Sequence, residues 1–149
     1  MTTHSAGLRV TEGQPMPSVG LRATDGVLMN LRSFVGKRPS IVVVAGEGPS
    51  RDALLVALSE ICVRLDIAGV GLLVVSTHSE RRQRELIDEL KLCFAMLSDE
   101  RRSAAATLGV ADDPVAFAVS ADGVILDIVE RPEPRGLLAR LLESINPPA

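Results

Sequence analysis

The sequence has no tryptophan and no tyrosine, and its aromatics are three phenylalanines, so intrinsic fluorescence reports nothing on it. Two cysteines, Cys62 and Cys93, are too few for a disulfide framework. With only two histidines beside them, they also leave no adequate set of zinc ligands, and no metal is expected. No apolar run approaches the roughly 18–20 residues of a membrane helix, which excludes a membrane span. Positive charge is not in excess: 16 Lys and Arg stand against 19 Asp and Glu, a formal net charge of -3. That balance argues against a nucleic-acid protein, whose footprint is basic. The opening MTTHSAGLRVTEGQ has no basic stretch followed by an apolar one, so no secretory signal is visible and a reducing cytoplasmic home is expected. The phosphate-binding loop, the dinucleotide glycine fingerprint, His-x-x-x-His and the Gly-x-Ser-x-Gly elbow are all missing. The enzyme classes they mark have no support, and no cofactor is expected. Repeats and low-complexity tracts are missing too.

What is present is one domain's worth of chain, 149 residues with 46% hydrophobic content, enough for a real core. Residues 1–7 read as a flexible tail, 8–146 as the domain and 147–149 as a second tail. Pro15 and Pro17 keep the entry extended. Asp25-Gly26, between Leu21 and Val27-Leu28-Met29, is a hairpin signal, because glycine tolerates the positive φ of a tight turn. Ile41-Val42-Val43-Val44 lacks alternation and predicts a strand buried on both faces. Arg51 to Asp66 predicts a helix with Leu54, Ala57, Leu58, Ile61 and Leu65 on its inner stripe.

A second buried strand follows at Val70 to Val75, then a polar helix at Glu80 to Leu92 with Arg81–Glu85 and Arg84–Asp88 placed to pair across a turn. The run Arg81-Arg82-Gln83-Arg84, balanced by Glu80, Glu85, Asp88 and Glu89, reads as a solvated face. A short strand at Phe94 to Leu97 leads to Ser98-Asp99, which can cap a helix over Glu100 to Leu108. Val115 to Ser120 and Val124 to Val129 form a hairpin through Ala121-Asp122-Gly123, and Gly136 to Ile145 is a closing helix. Strands alternating with helices predict an α/β sandwich with a mixed central sheet and helices on both faces.

The order and spacing of six short segments resemble one family. They are Gly13 to Pro17, Asp25-Gly26 with Leu31, Gly36-Lys37, Ala68-Gly69-Val70, Phe94-Ala95-Met96-Leu97-Ser98-Asp99 and Phe117-Ala118-Val119-Ser120-Ala121-Asp122-Gly123. Together, from Val10 to Ile145, they resemble the peroxiredoxins of the alkyl hydroperoxide reductase/thiol-specific antioxidant (redoxin) type. The resemblance implies a thioredoxin-like fold with an N-terminal β-hairpin. It also implies a functional loop after the first core strand, where the family carries Thr-x-x-Cys at a helix N-terminus. There the helix dipole and free N–H groups favour the thiolate that attacks peroxide.

Counting back from Ala68-Gly69-Val70 puts Gly48 at the threonine position and Arg51 at the cysteine position. Pro114 falls where the family has an arginine. All three have departed from the family pattern, and no cysteine exists before Cys62 to rescue it. Residues 41–44, 70–75 and 115–119 are then expected as adjacent strands of one sheet, with Gly48, Arg51 and Pro114 clustered at one end. Asp112-Asp113-Pro114-Val115 also resembles the thioredoxin segment that holds a cis-proline against the redox loop, so a cis Asp113–Pro114 bond is expected.

Cys62 lies at the edge of the helical core stripe and reads as a small hydrophobe. Cys93, at a helix–strand junction near Lys91 and the arginine run, is the better thiol candidate, since a positive field lowers a thiol pKa. Bridging of the two has little support in a reducing compartment. His78 follows a core strand and reads as a loop histidine at a helix start, and His4 as part of the tail. Arg51 and Glu47 form a surface ion pair on this reading. Asp112-Asp113 is an acidic pair beside the expected partner-binding edge, and two carboxylates alone make no metal site.

The leading expectation is therefore a family member without the reactive cysteine, a binding, scaffold or regulatory module. Its partner would be a protein or a second copy of itself, met through Glu47, Pro49, Asp113 and Pro114. The alternative is a thiol oxidoreductase or peroxidase using Cys93 or, after it, Cys62. A small-ligand or anion site in the Gly46 to Arg51 loop is the third reading.

Overall fold

The computed structural model describes residues 7–35, 37–47 and 51–133, and Gly136, Ala139, Arg140, Glu143 and Ile145 beyond them. Gly48, Pro49, His4 and most of the expected closing helix lie outside the described residues. Among the described residues, seven strands form one mixed sheet: β1 (Gly20–Ala23), β2 (Leu28–Asn30), β3 (Ser40–Val44), β4 (Gly71–Ser76), β5 (Ala95–Ser98), β6 (Val115–Val119) and β7 (Ile125–Glu130). Their order across the sheet is β2-β1-β5-β4-β3-β6-β7. The β3–β4 and β4–β5 pairs are parallel, and β3–β6 is antiparallel. The three apolar runs expected to be neighbours are indeed the centre of the sheet.

Every residue of β3, β4 and β6 is buried, because both sheet faces are covered. The pleat divides their side chains between two cores. Val42 and Val44 join Leu73, Val75, Phe117 and Met16 on one face, under α1 (Leu31–Val35) and α4 (Ser103–Leu108). Ile41 and Val43 join Val74, Ala116 and Met96 on the other. That face is covered by α2 (Arg51–Ile67), through Leu55, Leu58 and Leu65, and by α3 (Glu80–Leu90), through Leu86.

The first hairpin turns at Asp25-Gly26, where Gly26 has φ 85° and Asp25 Oδ1 accepts from the Val27 N–H at 3.0 Å. The second turns at Gly123, φ 84°, whose N–H donates to Ser120 O at 2.9 Å. The proline-bearing entry stays extended and bridges Pro15 to Val124.

Three elements differ from expectation. Helix α1 had no periodic signature, since five residues show only Leu31 and Val35 as an i,i+4 buried pair; Asn30 Oδ1 caps it by accepting from the Arg32 N–H at 3.0 Å. Helix α4 starts at Ser103 rather than Glu100, because the Arg102 N–H first closes a turn onto Asp99 O at 2.9 Å. Gln83, expected on a solvated face, is fully buried; α3 turns its arginines outward and this one polar residue in.

Candidate functional site

The chain leaves β3 through Ala45-Gly46-Glu47, and Arg51 is the first residue of α2. Gly46 presses against the segment before β6: a Cβ there would run into Asp112 O and lie 3.0 Å from Pro114 N. The contact is held by the Glu47 N–H, which donates to Asp112 O at 3.0 Å. The loop after β3, the start of α2 and the residues before β6 are thus brought to one pole of the sheet, as the spacing predicted for Arg51 and Pro114. Pro114 itself departs from expectation. The Asp113–Pro114 peptide is trans, as X–Pro bonds are by default when no contact selects the other isomer.

Arg51 reaches Glu47 Oε2 with Nη1 at 3.4 Å, so the expected pair is formed, and the same Nη1 donates to Thr77 Oγ1 at 3.2 Å. Its Nε is buried and makes no hydrogen bond among the described residues. A guanidinium at a helix N-terminus opposes the macrodipole, and Asp52 and Glu47 beside it offset the charge. His78, just past β4, shares a hydrogen bond of 2.9 Å between Nδ1 and Ser76 Oγ. Burial and then the Arg51 guanidinium hold its pKa below the usual imidazole value, so it is neutral at pH 7. Gln83 Nε2 donates to Ser76 Oγ at 2.9 Å and Leu97 O at 2.8 Å, while its buried Oε1 has no partner among the described residues. Ser76 is only 1% exposed, so the Ser76–His78 pair organises the loop and offers no accessible nucleophile.

Two contributors escaped the sequence reading. Gln83 was hidden in a charged run, and its position between Glu80 and Leu86 on the inward turn was the only signal. Arg131, just after β7, carried none; its Nε donates to Asp113 Oδ2 at 2.9 Å and its N–H to Pro114 O at 2.8 Å. Asp112 in turn pairs with Arg102 at 3.6 Å, so both members of the acidic pair are matched by arginine.

Neither cysteine is at this pole. Cys62 follows Arg51 by 11 residues of α2, roughly 16 Å along the axis. Its Sγ donates to Cys93 O at 3.0 Å. Burial, with a hydrogen bond and a Coulomb contribution from Cys93, pushes its thiol up to about 12. Cys93 is exposed, with Sγ 3.4 Å from Ser59 O. The arginines meant to bias it are engaged elsewhere. Arg81 meets Glu85 at 4.0 Å, Arg82 meets Glu89 at 3.3 Å, and Arg84 donates to Thr24 O rather than pairing with Asp88.

The Arg51 pole gathers a half-buried cation, an imidazole, a carboxylate and a hydroxyl around a helix start, with no thiol among its described residues.

The fold is shared with proteins of thiol chemistry. The peroxidoxin BcpB from Mycobacterium tuberculosis superposes with a TM-score of 0.77 at 14% identity, covering 89% of this chain and 94% of that one. A thiol peroxidase from Chromobacterium violaceum gives 0.72 at 21% identity, covering 90% and 87%. A putative thiol:disulfide interchange protein DsbE from Chlorobium tepidum gives 0.76 at 14%, covering 91% and 98%. None of the curated protein sequences compared with the chain matches it. The model of the AhpC/TSA family matches residues 12–128, well over half of the sequence, and the chain belongs to that family.

Proposed function

We propose that this protein is a non-catalytic member of the AhpC/TSA family, a binding or regulatory module that meets a protein partner, or a second copy of itself, through the Arg51 pole. One observation carries the reading: the first residue of α2, where the family resemblance puts the reactive cysteine, is an arginine whose guanidinium is tied to Glu47 and Thr77. A guanidinium cannot attack a peroxide, and both thiols lie away from it, Cys62 11 residues further along α2 and Cys93 beside Ser59 of the same helix. Gly48 and Pro114 complete the departure, since neither supplies the hydroxyl or the cation that supports a thiolate. Asp113 and Glu47, each paired with an arginine, give the pole a polar surface of matched charges, which suits a polar partner segment. A reducing cytoplasmic setting fits two free thiols.

The second reading, a thiol peroxidase using Cys93, draws on its exposure and on Cys62 beside it. Turnover of hydrogen peroxide and cumene hydroperoxide with thioredoxin and its reductase separates the two. The expected result is peroxide turnover no faster than the oxidation of a free thiol, with Cys93→Ser removing only that slow background. Rapid turnover abolished by Cys93→Ser would overturn the non-catalytic reading in favour of the second.

A further inference from the structure

At the opposite pole, where β3 begins at Ser40 and β4 at Gly71, the structure holds a cavity of about 620 Å³. That volume lies in the range of small-molecule sites. Its walls are apolar: Met29, Phe34, Val63, Leu72 and Phe94, which include two of the chain's three phenylalanines. Lys37 and Arg38 stand on its lining, and the only carboxylate there among the described residues is Asp66. Arg38 is held in place, its Nη1 3.6 Å from Asp66 Oδ1. Its Nε would lie 3.2 Å from a Cβ on Gly71, so the bare backbone of Gly71 leaves room for the guanidinium. Lys37 has no ion-pair partner among the described residues. The space therefore combines an apolar interior with a net positive lining.

We infer that this cavity is a binding site for an amphipathic anion, a carboxylate on an apolar chain or ring, with the apolar part between Phe34, Phe94 and Val63 and the charged head at Lys37 and Arg38. An apolar body enters because it sheds hydrating water. The head selects sign, since a cationic analogue meets Lys37 and Arg38 as like charges and an anion meets them as partners. The site is independent of the Arg51 pole, and Cys93 on its lining serves as a built-in reporter.

The test titrates the full-length reduced protein by calorimetry with submicellar decanoate and, separately, decyltrimethylammonium. Decanoate is expected to bind at least tenfold more tightly and to slow alkylation of Cys93 by iodoacetamide several-fold. Val63, 60% exposed on α2, takes a charge without disturbing the core. Val63→Glu should weaken decanoate at least tenfold, whereas Val56→Glu, on the same helix but off the lining, should leave it unchanged. Lys37→Ala should reduce the preference for the anion with no change in Tm. Equal affinity for the two surfactants, absence of binding, or unprotected Cys93 would overturn the assignment. So would a sedimenting dimer in which a second copy already shields Cys93.

Discussion

His78 shows how one side chain can report on a whole pole. Its pKa is lowered first by burial and then by the Arg51 guanidinium, with Asp52 and Glu47 acting the other way. Replacing Arg51 by glutamine removes the cation and keeps the burial. In Arg51→Gln the His78 ring is therefore expected to titrate at higher pH than in the wild type, yet still below the ordinary value of 6.5. Proton NMR resolves this directly, because the chain has only two histidines. The sign carries into stability. A histidine with a depressed folded pKa contributes stability that is fully present above 6.5 and is lost as pH falls through its folded value, since only the unfolded chain binds the proton early. An unchanged His78 titration in Arg51→Gln would show that the guanidinium does not act on the ring.

At the scale of an element, α4 depends on a carboxylate that lies outside it. Asp99 is 3% exposed and accepts from Ser103 Oγ at 3.1 Å and from the N–H groups of Ala104 and Ala105 at 3.0 Å each. These donors have no intrahelical partner, and a buried donor left bare costs about 1–3 kcal/mol. Asp99→Ala is expected to cost about 2 kcal/mol in urea unfolding. Asp99→Asn keeps an acceptor oxygen and should lose about half as much. The sequence placed a cap at Ser98-Asp99, and Asp99 fills that role, whereas Ser98 Oγ turns away to donate to His78 O at 2.6 Å. The three-residue shift in helix start was not legible, because it depends on a turn at Arg102 with φ 59° that arginine seldom adopts.

For the whole molecule, the sheet separates two kinds of chemistry. One pole gathers Arg51, His78, Asp113 and Arg131, and the other carries both thiols and the apolar cavity. Cys62 packs between α2 and the sheet with 8% of its surface exposed, on the lining of the cavity, and its Sγ donates to Cys93 O, so it is the less accessible thiol. Titration with Ellman's reagent at pH 8 is expected to detect one thiol quickly in the native protein. The second should react more slowly than Cys93, and both at once in denaturant. Two equally fast thiols in the native state would mean that the reagent reaches Cys62 through the cavity as readily as it reaches Cys93 from solvent.

The sequence by itself determined the family, the central strands and most helices, because unbroken β-branched runs and i,i+3/i+4 spacings are local signals that packing only completes. It also determined that no cysteine precedes Cys62. It placed Arg51 beside Glu47, an i,i+4 relation a helix start can satisfy locally. Only the tertiary structure decided that Asp113–Pro114 is trans, that Gln83 faces inward under Ser76, and that Arg131 closes on Asp113 from 18 residues away. It alone brought Lys37, Arg38, Val63 and Cys93 around one cavity. Those outcomes depend on groups distant in the chain meeting across the sheet, where the free energy comes from desolvation and pairing that no sequence window contains.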